Sequence, residues 1–322
     1  MPIAILGAGA WGTALALYLS RRGQTVYLWS IETPQVKEMI RERTNNKYLP
    51  GFPFPETLQP QTELAKAITE IQDILIAVPS IGFRETLFSL KPLLTDSQRL
   101  ICATKGMDTE KNQLLHDTKR EILGSTHSYA ILSGPSFAKE VAAGLPTAVV
   151  IASHDTKLAQ SLLNRFNSPL FRIDLSQDIS GVEIGGIVKN VLAIAAGISD
   201  GMNYGANARS ALLTRGLNEM IALGSALGAD IKTFIGLAGL GDLILTCTDD
   251  LSRNRRFGLA LGRNIPIAEA EREIGHVVEG KRNAELVIHL AKQQGVKMPL
   301  CETIYRILQN EISAQKAMTE IF

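Results

Sequence analysis

Ile3-Ala-Ile-Leu-Gly7-Ala-Gly9-Ala-Trp11-Gly12-Thr-Ala-Leu-Ala-Leu, residues 3–17, decides how the rest of the chain is read. A short apolar run enters Gly-x-Gly-x-x-Gly, and an apolar run with helical spacing follows without a break. In such a strand–turn–helix unit Gly7 allows the tight turn. Gly9 lets backbone approach a pyrophosphate, and Gly12 lets the helix pack closely on the strand. A helix beginning near Ala10, itself counted among the cofactor-binding positions, would offer free N–H groups and the positive end of its dipole to phosphates. Glycine-rich turns are common, but here strand and helix both flank the turn. The reading is dinucleotide binding, not an ordinary β–α turn.

Outward from this unit, a second strand reads Thr25-Val-Tyr-Leu-Trp29. NAD-specific folds tend to end this strand on an acidic residue that binds the ribose 2′-hydroxyl. Here Ser30 and Ile31 stand there, with Glu32 slightly late. Without a carboxylate at that point a 2′-phosphate meets no repulsion, and Arg21, Arg22, Arg41 and Arg43 offer partners. The cofactor is therefore NADP or NAD, with NADPH preferred on this reading.

Asn45-Asn-Lys-Tyr-Leu-Pro-Gly-Phe-Pro-Phe-Pro55 reads as a proline-rich loop packed against the nucleotide domain. Strand signals recur at Asp73-Ile-Leu-Ile-Ala-Val-Pro79, Arg99-Leu-Ile-Cys-Ala-Thr104, Tyr129-Ala-Ile-Leu-Ser133 and Thr147-Ala-Val-Val-Ile151. Helix-like runs at 82–90, 112–123 and 157–166 lie between them. Near-continuous apolar strands alternating with helices predict a doubly wound, mainly parallel sheet covered on both faces. Its ligands should bind at the carboxyl ends of the strands, near Ser80, Lys105 and Ser133–Gly134–Pro135–Ser136. From about Ser180 strand signals stop, and helical runs take over at 183–198, 207–227, 255–261, 279–293 and 302–308. The expectation is an α/β Rossmann-like domain over 1–180 and an all-α substrate-binding domain over 181–322.

Composition narrows the function classes. The 322 residues are 45% hydrophobic and 20% charged, the balance of a globular protein, and 33 Lys and Arg nearly cancel 32 Asp and Glu. A chain this close to neutrality is not a general nucleic-acid or membrane-surface binder. Cys102, Cys247 and Cys301 are far apart, with no Cys-x-x-Cys, so neither a disulfide framework nor a metal site is expected, and a reducing cytoplasm fits. The first apolar run has no basic region before it, so no signal peptide is expected. No apolar stretch reaches the ~20 residues a membrane span needs.

Four stretches could carry chemistry. Lys105, in Ala-Thr-Lys-Gly, follows a buried strand, where a cation could bind phosphate or polarise a carbonyl; a solvent-facing loop lysine is the alternative. Lys189 is more informative, as the single charge in Ile184-Gly-Gly-Ile-Val-Lys189-Asn190-Val-Leu-Ala-Ile-Ala-Ala. Desolvation there would lower its pKa toward neutrality and suit it to general acid–base work, unless it snorkels out of a packed helix. Asn190 adds a neutral donor and acceptor, and the adjacent glycines would let a domain interface or substrate come close. The third stretch, Gly236-Leu-Ala-Gly-Leu-Gly-Asp242 through Thr246, Ser252, Arg253, Asn254 and Arg256, resembles an anion cradle more than a solvated loop. Finally, Glu279 in Gly275-His-Val277-Val-Glu279-Gly280 reads first as a cap for the helix that follows, and second as a ribose ligand.

Taken in order, Gly-Ala-Gly-x-x-Gly, Ala-Thr-Lys-Gly, Ser-Gly-Pro-Ser-Phe-Ala-Lys-Glu, Val-Lys-Asn-Val, Ala-Gly-Leu-Gly-Asp-Leu, Ser-Arg-Asn-Arg and Val-Val-Glu-Gly make the whole chain resemble the bacterial-type NAD(P)-dependent glycerol-3-phosphate dehydrogenases. The resemblance implies interconversion of dihydroxyacetone phosphate and sn-glycerol 3-phosphate, for glycerophospholipid synthesis, by a cytoplasmic homodimer. It places the proton donor and acceptor on Lys189, assisted by Lys105, with Asp242 and Thr246 holding Lys189 and the substrate hydroxyl. Substrate contacts fall on Lys105, Gly134, Ser136, Lys189, Asn190, Asp242, Ser252, Arg253 and Asn254. Cofactor contacts beyond the glycines fall on Trp11, Lys105, Ala138, Arg253, Val277 and Glu279, while the family's position after the second strand is the apolar Ile31. Two other readings stay open: a related dehydrogenase acting on another hydroxy acid, against which Ser-Arg-Asn-Arg speaks, and a nucleotide-sensing module, which would have no need of Lys189.

Overall fold

The computed structural model describes residues 2–275 and 278–321. Strands and helices alternate through the first half of the chain. They are β1 (Ile3–Leu6), α1 (Ala10–Arg21), β2 (Val26–Trp29), α2 (Thr33–Glu42), β3 (Leu58–Gln61), α3 (Leu64–Ile68), β4 (Asp73–Ile76) and a 3-10 turn at Ser80–Gly82. Then come α4 (Phe83–Leu90), β5 (Arg99–Cys102), the two-residue strands β6 (Met107–Asp108) and β7 (Gln113–Leu114), and α5 (Leu115–Leu123). β8 (Tyr129–Ser133), α6 (Ala138–Ala143), β9 (Thr147–Ala152), α7 (Thr156–Phe166) and β10 (Phe171–Ser176) complete the series. The chain divides into two compact units, Met1–Asp108 with Leu114–Ile179, and Thr109–Gln113 with Ser180–Phe322.

Eight strands make one sheet in the order β10-β9-β8-β5-β4-β1-β2-β3. Neighbouring strands in it run parallel except β8 and β9, where the direction reverses. β1, β4 and β8 are buried along their whole length, as parallel strands covered on both faces must be. The two edges were invisible to the sequence reading. β3 carries Pro60, which cannot donate to a ladder and is tolerated because β3 lies at the edge. β10 begins with an alternation of buried and exposed residues in place of a continuous apolar run. The proline-rich loop does pack as expected, with Leu49 and Phe54 in the core beneath the sheet.

The strand order switches between β1 and β4, and both strands end at the glycine turn. A Cβ on Gly7, whose φ is +111°, would lie 2.7 Å from the carbonyl carbon of Ala77, just past β4. A Cβ on Gly12 would lie 1.9 Å from the Gly7 carbonyl oxygen. Both positions are closed to any side chain, and the turn sits where a doubly wound sheet receives its ligand.

From Ser180 onward the described residues hold no strand. The second unit contains α8 (Ile179–Gly201), α9 (Gly205–Ala226), α10 (Ile231–Ile235), a π-helical turn at Leu237–Gly241, α11 (Asp242–Thr248) and α12 (Arg253–Gly262). It ends with α13 (Ile267–Ile274), α14 (Glu279–Gln293), α15 (Pro299–Leu308) and α16 (Ala314–Ile321). α8 corrects one expectation: its 23 residues, with a mean hydropathy of 1.5 over an 18-residue window, are long and apolar enough to cross a membrane. Ser180, Glu183, Lys189 and several glycines interrupt its apolar residues. All of that window is buried, so α8 serves as the central helix of this unit.

α8 and α12 meet along a glycine seam. A Cβ on Gly197 would fall 2.2 Å from the Arg255 carbonyl oxygen, and one on Gly258 would fall 2.2 Å from that of Ile194. The contacts are backbone on backbone, so no rotamer change relieves them. Gly258→Ala is expected to destabilise the fold by about 1–3 kcal/mol, as overpacking does. Denaturant unfolding of the variant checks this, and unchanged stability would mean the seam can part without cost.

Candidate active site

The nucleotide end of the first unit is built on the turn after β1. Gly9 N-caps α1 with extended backbone and no side-chain cap, which leaves the first-turn amides facing outward without intrahelical partners. A Cβ on Gly9 would meet nothing within 4 Å, so space lies open beside those amides. The Trp11 indole nitrogen is buried with no hydrogen-bond partner, and so is the Ser133 hydroxyl at the carboxyl end of β8. An open cradle, a positive helix end and waiting polar atoms suit a dinucleotide.

Two residues that the sequence reading missed brace this turn. Gln35 Nε2 and Asn45 Nδ2 both donate to the Ala8 carbonyl oxygen, at 2.9 and 2.8 Å, and Asn45 also donates to Thr13 Oγ1 at 2.8 Å. Both amides are buried, at 5% and 1% exposure. No local pattern marked them, since Gln35 lies in the first turn of an amphipathic helix and Asn45 in the polar run Arg43-Thr-Asn-Asn-Lys47.

The arginines expected to meet a 2′-phosphate do not stand there. Arg21 and Arg22 end α1, about 16 Å along the helix from Ala10, and Arg41 lies about 12 Å along α2 from its start. Arg21 donates to the Ala142 carbonyl and Arg22 to that of Asn167, at 2.8 Å for the latter. Arg43 donates to the carbonyls of Pro55 and Leu58 at 2.7 and 2.9 Å, and Arg41 pairs with Glu42 at 2.7 Å. Nearness in sequence to the strand end had placed all four together; helix length separates them from it.

Lys105, just past β5, donates from Nζ to the Gly134 carbonyl at 3.0 Å, and Ser136 Oγ donates to the same oxygen at 2.9 Å. The loops after β5 and β8 therefore converge, as expected of strand ends in one sheet. Ala138 opens α6 and packs against the same core as Ala10 and Trp11.

In the second unit Lys189 is 6% exposed and Asp242 1%. Lys189 Nζ donates to Asp242 Oδ1 at 2.5 Å and to Thr246 Oγ1 at 2.9 Å. Thr246 gives its own hydroxyl proton to the Asp242 backbone carbonyl at 2.6 Å, which turns a lone pair toward Lys189. The lysine is thus held by a carboxylate, and a carboxylate at this distance favours the charged ammonium over the bare desolvated amine that the sequence suggested. A Cβ on Gly185 would lie 2.3 Å from the Ala238 carbonyl oxygen, so the chain's own π-helical turn makes the close approach at that glycine. Burial pushes the neighbouring Cys247 thiol up to about 12, which leaves it an inert filler.

The expected anion cradle is narrower than its sequence. Asp242 and Thr246 face Lys189, and Arg255 turns inward, donating to the Cys247 carbonyl at 3.1 Å and to Asp200 at 2.7 Å. Ser252 N-caps α12 by accepting from the Arg255 amide at 3.2 Å. Asn254 Nδ2 donates to Asn190 Oδ1, and Gly280 N donates to Asn254 Oδ1, both at 2.9 Å, so these amides tie α8, α12 and α14 together. Arg253, at the start of α12, is exposed. The surrounding protein pulls its pKa below the ordinary value, and the Glu279 carboxylate opposes that shift. Glu279 is the first residue of α14, but the cap position belongs to Val278. Val277 lies outside the described residues. All three cysteines are buried free thiols, and no cluster of potential metal ligands occurs among the described residues.

Comparison with known proteins agrees with both units. Residues 2–159 match the family model for the NAD-dependent glycerol-3-phosphate dehydrogenase N-terminus, and residues 178–319 match that for the C-terminus. The chain is 50% identical over 321 residues to a glycerol-3-phosphate dehydrogenase [NAD(P)+] of Haemophilus ducreyi, covering 99% of this chain and 96% of that one. It is 51% identical over 308 residues to the enzyme of that name from Glaesserella parasuis, covering 95% and 92%. A crystal structure of glycerol-3-phosphate dehydrogenase from Coxiella burnetii superposes with a TM-score of 0.97 at 49% identity, covering 99% and 98%. D-mandelate dehydrogenase, at 16% identity and a TM-score of 0.66, shares the fold alone. This chain belongs to the NAD-dependent glycerol-3-phosphate dehydrogenase family.

Proposed function

We propose that this chain interconverts sn-glycerol 3-phosphate and dihydroxyacetone phosphate with NAD or NADP, and that Lys189 moves the proton. The observation that carries this reading is Lys189 itself, buried in an apolar helix with its ammonium fixed between Asp242 and Thr246. The nicotinamide, when bound, supplies the hydride. Lys189 Nζ gives its proton to the ketone oxygen as that oxygen gains charge, and takes it back in the oxidative direction. Asp242 and Thr246 hold the ammonium in one place, so little reorganisation accompanies the step. Lys105 adds a second cation to the substrate, and Gly134, Ser136 and Asn190 help orient it.

Phosphate recognition falls to Arg253 and to the first amides of α12 behind their Ser252 cap. Asn254 contributes by fixing that helix end to α8. Binding energy spent on a phosphate away from the reacting carbon positions the ketone. Gly7, Gly9, Ala10, Trp11 and Gly12 would receive the pyrophosphate, with Lys105, Ala138, Arg253 and Glu279 completing the cofactor contacts. The division of labour is nucleotide binding over 1–180 and substrate binding over 181–322. The working form is a cytoplasmic homodimer that supplies glycerol 3-phosphate for phospholipid synthesis.

A substrate panel tests this. Dihydroxyacetone phosphate should exceed dihydroxyacetone by about a hundredfold or more in kcat/KM, and a 2-oxo acid should not turn over. Equal rates with and without the phosphate, or a preference for the oxo acid, would remove the triose phosphate assignment. Arg253→Ala should raise KM for dihydroxyacetone phosphate by about 10–100-fold, the worth of a charged hydrogen bond. With cofactor saturating, kcat/KM for dihydroxyacetone should fall far less than that for dihydroxyacetone phosphate.

A further inference from the structure

The carboxyl end of β2 is where this fold meets the adenosine ribose. Ser30 is turned inward, its hydroxyl 3.3 Å from Gln35 Oε1, and its oxygen accepts from the Glu32 amide at 3.2 Å. Ile31 is 83% exposed and offers neither charge nor hydrogen bond. Glu32 is therefore the first ionic side chain presented after the strand. Its carboxylate accepts from Tyr48 OH at 2.6 Å and from Lys47 Nζ, both on the loop after α2.

We infer that Glu32, steadied by Lys47 and Tyr48, makes the site prefer an adenosine ribose with a free 2′-hydroxyl, and hence NAD(H) over NADP(H). This rests on the proposed use of the glycine turn for the pyrophosphate. A ribose hydroxyl can donate to a carboxylate held in place, whereas a phosphate brings nearly two negative charges and no donor. Lys47 is the cation in contact with this carboxylate, and its charge is already matched. For it to reach a 2′-phosphate, Lys47 must leave Glu32, which sets an uncompensated carboxylate beside the phosphate. The Tyr48 hydroxyl is committed to the same carboxylate. Arg21, Arg22, Arg41 and Arg43 lie at far helix ends with other partners, so they cannot relieve the repulsion. Glu32 and Lys47 are both partly exposed, so solvent and salt weaken the discrimination. The preference should be about tenfold, not absolute.

Calorimetric titration of the full chain with 5′-AMP and with adenosine 2′,5′-bisphosphate reads the adenosine end without turnover. The wild type should bind 5′-AMP about tenfold more tightly, and NADH more tightly than NADPH by a similar ratio. Glu32→Gln should narrow both ratios, and raised salt should narrow them in the wild type. Tighter binding of the bisphosphate by the wild type, lost in Lys47→Ala, would overturn the inference by making Lys47 a phosphate ligand. Ratios unmoved by Glu32→Gln would overturn it as well. If none of the four ligands binds, the nucleotide site itself is refuted, a result distinct from a reversed preference.

Discussion

Lys189→Ala is expected to lower kcat for dihydroxyacetone phosphate reduction by about 10²–10⁴-fold, the usual worth of a positioned general acid. Reduced cofactor should still bind with ordinary affinity, because the glycine turn lies in the other unit of the chain. The size of the effect follows from the surroundings of Nζ. The ammonium is buried and held at 2.5 and 2.9 Å by Asp242 and Thr246, so water cannot readily take its place as a proton source. Lys189→Arg should recover little of the rate. A planar guanidinium does not fit the contacts of a compact ammonium, and it holds its proton far too tightly to give it up. Steady-state kinetics beside cofactor titration separates a lost proton donor from a lost binding site. A fall in cofactor affinity large enough to account for the rate would contradict the assignment.

Asp242→Ala should destabilise the second unit by about 3–5 kcal/mol, the cost of leaving one member of a buried ion pair without its partner. Lys189 would then lose the carboxylate that balances its charge while its side chain stays buried, at 6% exposure. Activity should fall together with stability. The double variant Lys189→Met with Asp242→Leu separates the two consequences. An apolar pair of similar volume should restore most of the lost stability, because a buried ion pair is often replaceable by well-packed hydrophobes. Activity should stay lost. Denaturant unfolding of the three proteins checks the order of stabilities. A double variant no more stable than Asp242→Ala would mean that Asp242 supports the fold through contacts other than Lys189.

These results bear on what the sequence could reveal. The glycine turn was legible because three glycines at fixed spacing, between an apolar strand and an apolar helix, leave few other uses for them. The inner strands were legible because burial on both faces demands uninterrupted apolar runs. β3 and β10 were not, since an edge strand need bury only part of itself and can carry Pro60 or alternating polar residues. Lys189 stood out as a single charge among apolar neighbours. Its partnership with Asp242 came only with the family resemblance, because 53 residues separate the two and no periodicity links them. The stretch from Gly236 to Arg256 was read as an anion cradle in a turn that opens a helix, since six residues there are hydroxylic or basic. In space a helix carries Asp242 and Thr246 inward, and Arg255 is spent on Asp200 and a backbone carbonyl. Arg253, exposed at the start of α12, is the residue proposed for the phosphate. The arginines near β2 were misplaced because sequence distance says little about which end of a helix a residue occupies.

The central claim is that Lys189 Nζ moves the proton, and amine rescue of Lys189→Ala tests it most directly. With cofactor and dihydroxyacetone phosphate saturating, added methylamine should restore part of the lost rate. Among small ammonium ions of similar size the stronger acids should restore the larger rate, because the rescued step is proton donation. A variant that turns over at the native rate, with or without amine, would contradict the claim and pass the proton to another group.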